Sequence, residues 1–542
     1  MAPRTGLNRD VAPAAGQTST SRVRAATIAA ILVVAALPRV WAAVWDQGLF
    51  WPDEIFQTLE PAHRLAFGYG FVSWEFQDGA RSWLFPGLLG LLWKLLAGFG
   101  VSGAPPLVVS AKLAMVAVAL VGIYASMRIA ETLGGPEAAV LCGVLSAAFP
   151  PSIVYGSRCM TEMASGPLYA VAVLLAFDTK PRQLVLSGCV AGLGIYLRYQ
   201  NGLIAVALLG WLLAQRRGRD AMYYTAGAVM AGLAGGGLDL LTWGAPFHSF
   251  VRYMQFNLVE GRSADFGVEP LAYYAQVFWS AVGVSSLALA IGLAEGARRA
   301  KGLAVVVLLY VLAHTLVAHK EFRFMMPIVP LMLTLSSVGL AGLIGRVLAT
   351  RTADVAVAPF GGERARRRRR TRDRAAAKQQ RPAEAAGFRV RSPIWVVAGV
   401  LAAAMGWQTA RASFDDFGQR RGLFSGALPV WHTAEAVNRL LWTAGGQPDL
   451  CGLGLVGYGP IWTGGYTYLH RDVPILWETP EALATRGLGA VGAAANYVIA
   501  KADLPLPDAY ATVQTLGEAK LARRPGACAA PPDSYSRLFP PN

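Results

Sequence analysis

Between Trp51 and Gly70 the chain sets Asp53, Glu54, Glu60 and His63 among aromatics, and Trp74, Glu75 and Arg81 follow closely. An ionised carboxylate in such a stretch can act as general base on a hydroxyl. Pro52 suits a first helical residue, Pro61 should kink the helix or start a second turn, and Gly68 and Gly70 can close it. Asp53 and Glu54 would then lie at a positively polarised helix start, which favours their ionised forms; the competing role for Asp53 is a helix cap. Far downstream, His319, Lys320 and Arg323 gather three basic groups around Glu321. Arg offers paired donors to a phosphate and Lys a point charge, so the trio suits a phosphate leaving group. Arg158 and Arg198 are read as further donor-side cations, and Glu162 and Asn257 as groups that shape the site. The competing reading for each cation is a side chain that snorkels to lipid head groups.

These residues sit between segments built for lipid. The 542 residues are 54 % hydrophobic, with mean hydropathy +0.40, and apolar runs of membrane-span length recur. Eleven spans are predicted, at 25–44, 108–127, 137–151, 163–177, 183–197, 200–214, 221–243, 273–295, 302–318, 325–345 and 393–411. The fold class is therefore mainly α, a polytopic helical bundle. A disordered cytoplasmic leader (1–24) precedes a membrane module (25–345), a basic cytoplasmic loop (346–392), a last span (393–411) and an extracytoplasmic domain (412–542). Short leader and Ala/Arg/Gly usage favour a bacterial plasma membrane.

Charge sets the topology. The net charge is +16, and between Arg346 and Arg391 14 Lys/Arg against 4 Asp/Glu leave +10. The run Arg366 to Arg370 has no companion aromatic or nucleic-acid motif, so anionic lipid is its expected partner and nucleic acid is not. Loops holding Arg22/Arg24, Arg128, Lys180/Arg182, Arg216/Arg217/Arg219, Arg298/Arg299/Lys301 and 346–391 alternate as cytoplasmic loops only if residues 84–99 do not cross the bilayer. Those 16 residues contain Lys94 and suit an interfacial helix. Every unusual polar cluster then falls on the outer side, as one reaction chamber at the membrane edge.

The five cysteines lack metal-ligand spacing, and no Asp-x-Asp motif is seen in the outer loops, so neither metal nor other cofactor is expected. Cys451 and Cys528 are a candidate disulfide of an exported domain. Residues 412–542 alternate short apolar runs (Gly452 to Val456, Tyr497 to Ala500) with Gly/Pro turns and read as a small α/β domain. Its Trp462, Tyr466 and Tyr468 suit core packing more than sugar stacking.

Trp51-Pro-Asp-Glu-Ile-Phe-Gln57, with Leu59-Glu60, His63, Phe67-Gly68, Trp74-Glu75 and Arg81-Ser82, resembles the first luminal loop of glycosyltransferase family 22, the GT-C mannosyltransferases, and is nearest to its GPI mannosyltransferase III-like members. Ser157-Arg158, Thr161-Glu162, Asp239, Trp243-Gly244, Phe247, Phe256-Asn257 and His319 to Phe324 agree in order. The likeness covers roughly residues 40 to 345. It implies inverting transfer of mannose from a polyprenyl-phosphate donor to a hydroxyl of a glycan or glycolipid acceptor, with Asp53 as the leading base. Trp51 stands where the family often has His. A lipid-glycan flippase is the rival class, and would place its charges near the bilayer midplane; a GT-C enzyme for another sugar is the second rival.

Overall fold

A computed structural model describes residues 15–49, 51–355, 390–418 and 428–531. Lipid offers no hydrogen bonds to a backbone, so the apolar runs become helices that satisfy themselves. They are Ala15–Trp45, Ala104–Ala148, Thr161–Ala176, Pro181–Leu197, Gly202–Ala214, Gly218–Trp243, Tyr273–Val282, Ser285–Arg299, Lys301–Leu316, Val329–Val355 and Ser392–Ala410. Every predicted span holds helix, but the lengths differ. The spans 108–127 and 137–151 are joined into one 45-residue element bent at Gly135 (φ 78°) before Pro136. The span 273–295 is broken instead, at Gly283 (φ 64°). Among the described residues, five helices are long and apolar enough to cross a membrane by length and composition: Ser21–Trp45, Ala104–Ala148, Gly218–Trp243, Val329–Thr350 and Ser392–Ala410. Other predicted spans hold shorter apolar helices, such as Thr161–Ala176 and Lys301–Leu316.

Small residues let the helices touch. A Cβ on Gly188 would lie 1.9 Å from the Tyr224 carbonyl, and one on Gly339 would lie 1.9 Å from that of Gly292. Such backbone approach is how helices associate where burial against lipid gains nothing.

The basic loops meet at one end of this bundle. Arg24 pairs with Glu131 at 2.6 Å, Arg217 donates to the carbonyls of Ala176 and Asp178, Arg346 pairs with Glu295 at 2.7 Å and Arg391 with Glu137. The predicted lipid-facing run Arg366 to Arg370 lies outside the described residues. Leu84–Gly98, of 15 residues, folds as one apolar helix against the first loop. Its Trp93 is fully buried and donates to the Leu107 carbonyl at 2.8 Å. At 1.5 Å per residue it spans about 22 Å, less than a hydrocarbon core.

At the opposite end, residues 51–70 form a helical turn (Pro52–Glu54), a π-helical turn (Ile55–Leu59) and an α-helix (Glu60–Phe67). The expected break at Pro61 appears as that wider turn. A proline clashes with the carbonyl four residues back, and a π turn relieves the clash while the helix continues. Gly68, at φ 89°, ends it.

The C-terminal part carries a five-stranded sheet in the order β2-β1-β3-β5-β4, where β1 is Leu453–Val456, β2 Ile475–Glu478, β3 Tyr497–Lys501, β4 Ala511–Leu516 and β5 Ala519–Arg523. The first three strands are parallel and the last two join antiparallel. Cys451 and Cys528 form a disulfide that closes the domain's ends over 77 residues. Tyr466 and Tyr468 are buried, Tyr468 stacked on Trp442, and Trp462 meets Trp51 edge-on.

This domain is clasped to the first loop. Glu60 accepts from the Thr467 amide and hydroxyl at 2.6 Å each and from the Phe71 amide at 2.9 Å. His63 Nε2 lies 2.9 Å from His470 Nδ1. Asn438 donates to the Gln47 carbonyl, and Asp46 accepts from the His432 amide.

Candidate active site

Asp53 occupies the first turn of its helix, where Trp51 is the N-cap and no side chain caps the end. It is not the cap, so its carboxylate is free to reach outward. It meets Arg323 Nη2 at 2.6 Å. Arg323 comes from the short turn Phe322–Met325 that precedes the helix from Val329, and it also binds Glu321 at 2.7 Å and Glu162 at 3.5 Å. Glu162, in the first turn of Thr161–Ala176, pairs with Arg198 at 2.6 Å. Arg198 ends Pro181–Leu197, and its guanidinium covers the Phe324 ring at 4.4 Å. Helix ends from four parts of the chain thus converge on one charged network.

Within it the groups differ in access. Glu162, Arg198 and Arg323 are nearly sealed, whereas the Asp53 side chain is 23 % exposed. Desolvation pushes the Asp53 carboxyl above its usual range, Arg323 opposes the shift, and Glu321 and Glu75 add to it. Burial acts on Glu321 too, but Arg323 and His319 overcome it and hold that carboxyl at about 2. Glu321 is therefore a fixed negative charge, and Asp53 is the better proton acceptor.

His319 places Nδ1 2.9 Å from the Gly267 carbonyl and Nε2 3.2 Å from Glu321. Lys320 is 4 % exposed and donates to the carbonyls of Glu269 and Ala318, with no carboxylate in ion-pair range among the described residues. The basic trio therefore divides: Arg323 is matched by three carboxylates, while Lys320 keeps an uncompensated charge.

Two residues read with this group belong to a neighbouring one. Arg158 binds Asp46 at 2.7 Å, the Gly48 carbonyl at 2.7 Å and Glu54 at 3.5 Å, and Glu54 is 1 % exposed. Arg158 and Glu54 thus fasten the start of the loop to its neighbours. Sequence reasoning missed Asp46 and the buried Lys112 that donates to its carbonyl at 2.7 Å. Lys112 lies in an apolar span, and that alone was a signal. Asp46, His432 and Glu435 bring possible metal-ligand atoms within 4.8 Å, but Arg158 and Arg439 already take the two carboxylates.

The remaining expected residues frame the cluster or the clasp. Trp74 packs on Phe256 and Phe266, Glu75 accepts from Gln57 at 2.9 Å, and Arg81 lies 5.8 Å from the Tyr253 ring centre. Asn257 donates to the Tyr253 carbonyl. His63 is buried in the clasp, bonded to the Tyr69 carbonyl and His470.

The fold is similar to crystal structures of ArnT from Cupriavidus metallidurans, with a TM-score of 0.56 over 93 % of this chain and 99 % of that one for the undecaprenyl phosphate complex, at 13 % identity; this shows a GT-C fold alone. GPI mannosyltransferase 3 of Yarrowia lipolytica is 29 % identical over 310 residues, 56 % of this chain and 60 % of that protein. The Drosophila melanogaster protein of that name is 28 % identical over 302 residues, 53 % and 52 % of the two chains. The match thus spans little more than half the length of these curated relatives. Residues 30–405 match the model of the Alg9-like mannosyltransferase family, and the chain belongs to that family.

Proposed function

We propose that the protein is an inverting glycosyltransferase that moves mannose from a polyprenyl-phosphate donor to a hydroxyl of a glycan or glycolipid, on the outer face of a bacterial plasma membrane. The observation that carries this reading is the placement of Asp53: it is the accessible carboxylate of a network whose other members are nearly buried, and its proton affinity is raised. Asp53 takes the proton of the acceptor hydroxyl. The acceptor oxygen bonds to the sugar's anomeric carbon as the bond from that carbon to phosphate oxygen breaks, and the electron pair leaves with the phosphate. One displacement gives inversion and needs one base. Arg198, His319 and Lys320 supply positive charge for the departing phosphate, and Arg323 holds Asp53 in place. The undecaprenyl phosphate bound to the similarly folded ArnT supports a lipid-phosphate donor, and the disulfide supports an exported side for this end.

Asp53→Asn keeps the size and the Arg323 contact but cannot accept the proton. With polyprenyl-phosphate mannose and a membrane extract as acceptor source, transfer should fall about a thousandfold while the melting temperature holds. Turnover at the wild-type rate would remove Asp53 as the base.

A further inference from the structure

Arg39 lies inside the first apolar helix, six residues before its end at Trp45, which places it about 9 Å below that end. Its side chain is fully buried. Nη1 donates to the carbonyls of Ala35 and Ala147 at 2.8 and 3.1 Å, and Nη2 to that of Ser146 at 2.8 Å. Ser146 and Ala147 belong to the last turn of Ala104–Ala148, so Arg39 caps that helix and meets roughly half an elementary charge there. All three acceptors are neutral carbonyls, and no carboxylate lies in ion-pair range among the described residues. The remaining positive charge is left unbalanced in a place where that is costly.

The side of Arg39 that makes no bond looks into a cavity. Arg39 Nε has no hydrogen-bond partner, and neither has Ser126 Oγ, which is buried as well. Both residues line the same cavity of about 60 Å³, together with Ser146 and Ser152. The other walls are mostly apolar, among them Met163 and Met326. At about 10–15 Å³ for each water-sized particle, the space admits a small ion with a few waters and excludes a sugar. Water alone would satisfy the two donors and leave the charge standing. An anion answers both.

We infer that this cavity is a binding site for a small monovalent anion of halide size, held between Arg39 Nε and the Ser126 hydroxyl. Its position gives the ion a part to play. Met163 follows Glu162 in the helix Thr161–Ala176, and Met326 closes the turn that carries Arg323. The ion thus sits behind two members of the charged network and braces them from the membrane side. That part is structural and independent of which sugar is moved.

The purified full chain in detergent is placed in sodium gluconate, whose anion is too large for the cavity, and chloride or bromide is exchanged in at constant ionic strength. The melting temperature should rise with halide along a saturating curve, because the ion binds the folded state. Ser126→Ala removes a hydroxyl that has no protein partner, so the variant should fold and move the midpoint of that curve at least fivefold to higher halide. Ser126→Asp builds a carboxylate into the cavity; it should melt above wild type in gluconate and lose the halide response. Arg39→Gln should lose the response as well. If either of these two variants fails to fold, Ser126→Ala decides alone. A melting temperature that is equal in gluconate and chloride overturns the site. So does a halide response with the wild-type midpoint in Ser126→Ala, which would place the ion elsewhere on the protein.

Discussion

Asp53 joins Arg323 across 270 residues of chain, and that bond orients the carboxylate for its proposed use as a base. Sequence spacing marked both residues as chemically capable, but which acid meets which base depends on how helix ends converge, and no local pattern encodes that. The same gap hid Asp46, an acid that looks ordinary beside Gly48 until Arg158 arrives from far away. It also let Glu54 pass for a second reactive acid. The charges around Asp53 yield a test by pH. The proposed transfer needs the ionised carboxylate, so the rate should fall as pH drops through a pKa that burial, Glu321 and Glu75 have raised. Glu75→Gln removes one repelling charge, lowers that pKa, and should move the acid limb of the rate profile to lower pH. A limb that stays put or moves upward would detach Glu75 from Asp53.

At the scale of elements, the helices were legible because apolar runs in lipid have few alternatives, and both apolar runs of the C-terminal domain are strands (β1, β3). Joins and breaks were not, because Gly135 and Gly283 take positive φ under tertiary demand rather than local preference. The clasp between Glu60–Phe67 and the C-terminal domain has an opposed pH response. Burial pushes His63 from 6.5 down to about 3, so the folded state keeps it neutral and loses stability as pH falls below 6.5, by up to about 1.4 kcal/mol per unit. Burial raises Glu60 to about 7 against its hydrogen bonds, so acidification from there gains stability. The two effects oppose each other between pH 6.5 and 4.5. His63→Asn removes the first, and its melting temperature relative to wild type should climb as pH is lowered from 7 to 5; a flat difference would refute this. The Cys451–Cys528 bond is a second fastener, and Cys451→Ser should cost the C-terminal domain about 2–4 kcal/mol, read as earlier thermal unfolding and as loss of a reductant-induced gel shift.

For the molecule as a whole, the proposed sidedness follows from basic loops gathered at one end and the charged network with the sheet domain at the other. Single cysteines at exposed Asp508 and exposed Lys180, in a background with Cys189 replaced, should separate the ends: a membrane-impermeant maleimide on intact cells should label the first and not the second. Equal labelling of both would collapse the two-ended arrangement. The clasp carries a further consequence. Thr467 and His470 reach back 407 residues to Glu60 and His63, so the loop that bears Asp53 gains this support only after the chain has been synthesised past His470. A chain stalled or clipped before Thr467 would hold every charged group of the network yet leave the Asp53 loop unbraced.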